Sequence, residues 1–483
     1  MLKNLPAAKL VKNSSIYTVV AFLQKAIGFL LLPIYTVFLT PVDYGKVNVV
    51  NTLMGIVSVL FNLSLQGAAI RFHYKHADER IMRKKIWGTT FCFVFLNTAA
   101  LSVLLLLFHR AFLDPFAENV MFSPFILLGL ITTGLSPTFM FYQTMLQAEQ
   151  NGKRYGLNNL VFFIVNLGLT IAFVVGYKMG AVGILLANAI SNGLFFVYSA
   201  FVLLPKIKLG IDKIILKEAL KYALPLIPYN LAAYTALMID RLFLNKMKGT
   251  GDVGIYSVGF QFANIVTIVT GAIAQAYSPW FFEKWEKGEE GRAAIAKILP
   301  IISLVFAILG LGMALLGPLA LSIMVSKSFT LAWQVIPCMS MGYAFSGIYL
   351  LGVNGLFISK TYLLPLLAFA GLIVNVALNL LVIPRYGILG ASFSSMVYNI
   401  FMTLLVILLA EKIEQIGYNK TRLFNPFLVA IPAAMAAFPL YKQPLPLRVG
   451  GLFLVFIIAL CVLALLNRRS LRNYSIKWRE NGR

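Results

Sequence analysis

The number and order of its apolar segments constrain this chain more than any other feature. Fourteen stretches of roughly 18–25 apolar residues follow one another, each about long enough to cross a bilayer as a helix. They lie at 15–39, 44–68, 86–108, 119–147, 157–177, 181–204, 222–246, 253–278, 294–317, 331–357, 362–383, 388–410, 424–440 and 449–466. Hydrocarbon offers a backbone no hydrogen-bond partner, so such segments must satisfy their own amides as helices. A hydrophobic content of 60% and a mean hydropathy of +0.84 exclude an ordinary soluble domain. No linker is long enough to fold alone. The expected fold is an all-α integral membrane protein with 14 transmembrane helices.

The net charge of +24 invites a nucleic-acid reading, and its distribution argues against one. Of 41 Lys and Arg, 30 fall on one side of the expected spans and nine on the other, with Lys25 and Arg241 inside them. That asymmetry is the positive-inside pattern and predicts that both termini are cytoplasmic. The basic side is expected to meet anionic lipid, not nucleic acid. The three cysteines, Cys92, Cys338 and Cys461, fall in apolar segments and form no disulfide framework or metal spacing. The basic N-terminus lacks the short apolar core of a cleaved signal and reads as a lead-in to the first segment.

The segments form two matching groups of six and a final pair. Six is even, so the halves are parallel repeats about an axis along the membrane normal. Asp43–Tyr44–Gly45 before the second segment matches Asp252–Val253–Gly254 before the eighth, 209 positions later. At the same offset Gln66 meets Gln275, Phe72 meets Phe281, and Val165–Asn166 meets Val374–Asn375. GAVG at 180–183 echoes GILG at 387–390 at offset 207. The expected organisation is a six-helix lobe at 1–205, a second at 206–410, and a helix pair with a basic cytoplasmic tail at 411–483. Pro33, Pro137, Pro225, Pro228 and Pro337 are expected inside the first, fourth, seventh and tenth helices, where proline permits bending.

Catalytic motifs are absent. His73, His76 and His109 are expected in loops, and no phosphate-binding loop of the ATPase type occurs, so the chain reads as a non-enzyme without cofactor. The signal is polarity inside helices. Lys25 lies about ten residues into the first segment, ~15 Å deep at 1.5 Å per residue, where a charge needs a wet cavity or a partner. It is expected to face a central cavity beside Gln24; a lysine paired with a carbonyl is the structural alternative. In the seventh segment Asn230, Tyr234, Arg241 and Asn245 share one face by spacing. Arg241 is expected to hold an anion, with Asp240 orienting it or binding a coupling proton; an interfacial position for the pair is the alternative. Arg71 reads as the cytoplasmic rim of the cavity or as ordinary positive-inside charge. Gln261, Asn264 and Gln275 form one polar row, and Asn51, Ser58, Asn62 and Gln66 another, each as suited to helix–helix packing as to ligand contact. The six acids of the first half, Asp43, Asp78, Glu79, Asp114, Glu118 and Glu149, all lie in expected loops or helix ends. A cavity with cations and no deep acid suits an anion such as pyrophosphate.

The Asp43–Tyr44–Gly45 turn, the Ile-Asp-Arg-Leu-Phe-Leu run at 239–244, the parallel repeat and the added helix pair resemble bacterial polysaccharide flippases of the multidrug/oligosaccharidyl-lipid/polysaccharide exporter superfamily, across essentially the whole chain. The resemblance implies two lobes in a V around a central cavity. It implies a lipid-linked oligosaccharide on undecaprenyl pyrophosphate as substrate, with membrane lipid, a polysaccharide polymerase and glycosyltransferases as partners. It implies a bacterial inner-membrane location. Lys25 and Arg241 best match the cations that meet pyrophosphate in such proteins, with Arg71 next. With Asp240, Gln66, Gln275, Asn230 and Tyr234 they make up the expected substrate site. Alternating access, with coupling to a proton or sodium gradient, is the implied mechanism, and helices thirteen and fourteen are candidates to flank the lipid tail. A cation-coupled multidrug exporter of the same superfamily is the alternative.

Overall fold

The computed structural model describes residues 31–468 together with Val20, Gly28 and Phe29. Lys25, Gln24 and most of the expected first helix lie outside the described residues, as does the basic C-terminal tail. Among the described residues the regular structure is helical, with no strand. The helices are α1 (Leu32–Phe38), α2 (Pro41–Asn62), α3 (Leu65–Lys75), α4 (Arg80–Leu107), α5 (Leu127–Ala148), α6 (Gly152–Ile171), α7 (Gly180–Leu203), α8 (Lys213–Ala223), α9 (Leu226–Met238) and α10 (Asp240–Lys248). They continue as α11 (Thr250–Trp285), α12 (Gly288–Met324), α13 (Ile336–Ser359), α14 (Leu363–Glu414), α15 (Lys420–Met435) and α16 (Leu445–Leu466), with short helical turns between.

Eleven helices among the described residues are long and apolar enough to cross a membrane, against the expected fourteen. The difference has local causes. The first span falls on residues outside the description. The seventh is divided, because Leu224–Pro225 separates α8 from α9 and Ile239 separates α9 from α10. The eleventh and twelfth run together as α14, broken inside by Gly387 at φ 55°, ψ −129°. That break sits where GILG was matched to GAVG, and Gly180 has φ 58°. The two motifs therefore repeat a left-handed backbone and not just letters, and glycine adopts it without steric cost.

By contacts the chain divides into two compact units, one ending at Gly254 and the other beginning at Ile255. The boundary between these contact units lies after α10, because α8 packs on α3 and α4 while α9 and α10 pack on α2. In the first unit α5 and α7 pack together, and α2 and α4 lie against α5. Its core includes Leu65, Trp87, Phe91, Phe141 and Tyr142. In the second unit α13 packs against α12 and α14, and α15 against α12, α13 and α16.

Two expectations need correction. His73 is not in a loop: α3 carries the second span on to Lys75, and His73 is buried with Nδ1 accepting from the Trp87 indole at 2.9 Å. Most of the prolines are not interior. Pro33 and Pro337 open α1 and α13, Pro225 is the N-cap of α9, and Pro228 stands in its first turn; Pro137 alone of the five lies inside a helix. A first-turn proline removes an N–H that would have no helical partner anyway.

Candidate functional site

Of the expected site residues, Gln66, Asn230 and Tyr234 come together along α2 and the start of α3. A polar row descends this helix in single steps. Ser58 Oγ donates to the Gly55 carbonyl at 2.8 Å, Asn62 Nδ2 to the Ser58 carbonyl at 2.8 Å, and Gln66 Nε2 to Asn62 Oδ1 at 3.2 Å. Ser58 and Asn62 spend their donors on their own helix and Gln66 spends its donor on Asn62, which is how polar groups survive among apolar neighbours.

The row crosses a break. Leu63 and Ser64 both have left-handed backbones, φ 48° and 56°, an uncommon conformation for non-glycine residues and here consecutive. Asn97 of α4 serves the carbonyls just before the break, its Nδ2 donating to Leu60 O at 2.9 Å and Phe61 O at 3.0 Å. Asn230 of α9 donates to Ser64 Oγ at 2.9 Å. One turn on, Tyr234 covers Gly55, where any Cβ would overlap its ring and hydroxyl. Sequence spacing placed Asn230 and Tyr234 on one face; the structure lays that face on α2.

Asp240 and Arg241 are 2% and 4% exposed, both buried within the protein. Arg241 Nη1 lies 3.2 Å from Met238 Sδ. Charges so buried are retained only with partners or a function. Arg71 is exposed and stacks on Tyr222 of α8, 4.8 Å from the ring centroid, while Lys75, one turn on, lies 3.9 Å from Glu218. Gln66 is half-buried in the first unit, and Gln275 is exposed on α11 in the second. In the second unit Asn264 pairs with Thr267, whose Oγ1 donates to Asn264 Oδ1 at 2.6 Å. Lys25 lies outside the described residues.

At the far end of α2, the Asp43–Tyr44–Gly45 turn has a local purpose. Thr40 caps the helix, accepting from Asp43 N–H at 3.1 Å, while Asp43 Oδ2 accepts from Thr40 Oγ1 at 2.7 Å. Gly45 lies against the start of α11. Nearby, the loop before α5 grips α10: Glu118 pairs with Lys246 at 2.9 Å, Asn119 Nδ2 donates to Asn245 O at 3.0 Å, and Asn245 Nδ2 donates back to Glu118 O. Sequence reading missed Asn97, Ser64, Gly55 and this grip. A lone Asn97 within an apolar run carried a signal; the rest depend on contacts far apart in the chain.

Three comparisons bear on this architecture. Residues 10–285 match the protein family described as polysaccharide biosynthesis protein. Among curated proteins, an uncharacterized membrane protein of Haemophilus influenzae is 24% identical over 287 residues, 58% of this chain and 67% of that one. The Lsg locus putative protein 1 of the same organism is 22% identical over 281 residues, 57% of this chain and 66% of that one. The chain thus matches about two thirds of each relative's length. Among solved structures, the lipid II flippase MurJ in an inward closed conformation aligns over 94% of this chain and 99% of its own, with TM-score 0.73 and 13% identity. A mutant of the MATE transporter VcmN from Vibrio cholerae aligns over 85% and 98%, with TM-score 0.59 and 16% identity. At these identities the likeness is one of fold. The molecule is a multi-pass membrane protein with the helical fold shared by these transporters.

Proposed function

The chain belongs to the polysaccharide biosynthesis protein family, and from that premise we propose that it is a flippase for an undecaprenyl-pyrophosphate-linked oligosaccharide. The unit crosses from the cytoplasmic to the outer leaflet of a bacterial inner membrane, for O-antigen, capsule or exopolysaccharide assembly. The observation that carries the reading is the family match over 10–285, which includes Lys25, Arg71, Asp240 and Arg241. No covalent step is required, so the chain acts as a carrier and not as an enzyme.

Arg241, and Lys25 on the first segment, hold the pyrophosphate; a guanidinium binds phosphate oxygens two at a time. Arg71 receives the headgroup at the basic rim. Asn230, Tyr234 and Gln66 line the approach, with Gln275 as the counterpart in the second half. Lobes at 1–205 and 206–410 alternate access while the lipid tail stays in hydrocarbon, beside the helix pair at 411–483. Asp240, buried beside Arg241, takes up a proton or sodium ion that couples transport to a gradient. Glycosyltransferases supply the unit and a polymerase consumes it.

The test is a deletion strain. Its lipid extract should accumulate the undecaprenyl-pyrophosphate oligosaccharide and its surface should lose polysaccharide, both restored by the intact gene. No accumulation, with raised sensitivity to cationic drugs, would move the function to drug export.

A further inference from the structure

The first unit carries a second place where cations stand over an apolar cavity, apart from the α2–α9 face. Residues 80–88 and 204–213 contain seven Lys and Arg against one acid, Asp212. The loop 204–213 is pinned to the first turns of α4 at three neighbouring positions. Lys208 N–H donates to Lys84 O at 3.0 Å, Asp212 N–H donates to Thr89 Oγ1 at 3.2 Å, and the Lys208 carbonyl sits where a Cβ on Gly88 would be. Only glycine at 88 permits that approach. Asp212 is occupied in capping α8, accepting from Ile214 N–H at 3.0 Å.

Lys206 is engaged with Glu149 at 4.0 Å, whereas Lys84, Lys85 and Lys208 have no ion pair among the described residues. Beyond them lies a cavity of about 340 Å³ lined by Phe91, Phe95, Phe196, Ala200, Leu204 and Leu209. It begins seven residues along α4 from Lys84, ~10 Å at the helical rise. A second cavity of about 380 Å³, which shares Phe95 and Phe196 in its lining, reaches Leu106. Phe95 and Leu209 are exposed, so the trough opens sideways along a membrane span.

We propose that this is a binding site for one acidic phospholipid, its phosphate on Lys84 and Lys208 and an acyl chain in the α4–α7 cavity. The occupant follows from the two halves of the site. The mouth asks for an anion, the trough asks for a hydrocarbon chain, and the opening faces the surrounding lipid. Anionic phospholipid of the lysine-rich side satisfies all three, and each lysine near a charged surface contributes about a fivefold preference for it. The bound lipid would fasten the linker between α7 and α8 to α4.

Native mass spectrometry of the full chain in detergent, titrated with dioleoylphosphatidylglycerol or dioleoylphosphatidylcholine, tests this. The intact protein should hold one phosphatidylglycerol at least tenfold more tightly than phosphatidylcholine. Lys84→Ala with Lys208→Ala should erase that preference, and Ala200→Trp should remove the single-lipid adduct. If Ala200→Trp fails to fold, Ala200→Leu replaces it, and the lysine variant decides alone if both fail. Equal binding of the two lipids by the intact protein, or a preference that survives the double lysine variant, overturns the proposal. So does displacement of phosphatidylglycerol by an equal concentration of undecaprenyl phosphate, which would assign the site to the transported lipid.

Discussion

Gly45 and Gly254, 209 positions apart in the chain, pack backbone against backbone in a reciprocal contact. A Cβ on Gly45 would overlap the Thr250 carbonyl and stand 3.1 Å from Gly254 N; a Cβ on Gly254 would overlap the Pro41 carbonyl and stand 3.0 Å from Gly45 N. Pro41 and Thr250 are themselves 209 apart. Residues matched at an offset of 209 therefore contact one another reciprocally, the pattern of an isologous contact. Gly183 and Gly390, 207 apart, show a different likeness: each lies close to main chain shortly before it in sequence, at Phe173 and Val382.

Gly45→Ala and Gly254→Ala are each expected to destabilise by about 1–3 kcal/mol, because the facing atoms are main chain and cannot step aside. Gly271→Ala, with nothing within 4 Å of its Cβ, is the matched control and should leave the melting temperature unchanged or raised. Thermal unfolding in detergent, followed by tryptophan fluorescence, reads both. Equal melting temperatures in all three variants would contradict the close contact.

Asn97→Leu should strand the Leu60 and Phe61 carbonyls at the α2–α3 break. The Phe61 bond is part-buried and the Leu60 bond exposed, so the cost is expected at the low end for a lost acceptor partner, about 1 kcal/mol. Hydrogen exchange of peptides spanning 58–70 should rise in this variant, and exchange in α6 should not. Unchanged exchange at the break would mean that other groups satisfy those carbonyls.

Arg241 and Arg71 should part company on substitution. Arg241 is 4% exposed, so Arg241→Ala is expected to abolish surface polysaccharide, and Arg241→Lys to restore little of it. Arg71 is exposed and held by its Tyr222 stack, a contact of about 0.5–1 kcal/mol, so Arg71→Ala should reduce polysaccharide only severalfold. Complementation of a deletion strain, normalised to protein level by immunoblot, separates the two. Equal loss would place Arg71 as deep in the mechanism as Arg241.

The Glu118–Lys246 pair is a surface contact with side chains 44% and 60% exposed, for which about 0–1 kcal/mol is usual. Glu118→Lys alone should cost little stability. Combined with Lys246→Glu it should recover most of that cost, in a double-mutant cycle on melting temperature. A large single effect without recovery would assign the grip to the Asn119–Asn245 bonds instead.

The helical class, the repeat and the polar rows were legible because each rests on local spacing: apolar length for the spans, the 209-residue offset for Gly45 and Gly254, and four- and seven-residue steps for Asn230, Tyr234 and Arg241. Helix ends were less legible. A run of apolar residues does not reveal that Leu63 and Ser64 turn left-handed, since the break is held by Asn97 and Asn230 from elsewhere. Apolar length likewise did not show that Pro225, expected to bend one long helix, stands where α8 and α9 separate. Spacing along the seventh segment also could not show that Asp240 is buried, since it measures position along a helix and not what packs around it.

The most direct test of the central claim is translocation in proteoliposomes. Purified protein would be reconstituted with a radiolabelled undecaprenyl-pyrophosphate oligosaccharide in the outer leaflet. The fraction protected from an added, impermeant glycosidase would be followed with time. The account expects protection to rise with the intact protein and to remain at the protein-free level with Lys25→Ala or Arg241→Ala. Protection no faster than in protein-free vesicles, from protein that is folded and inserted, would contradict it.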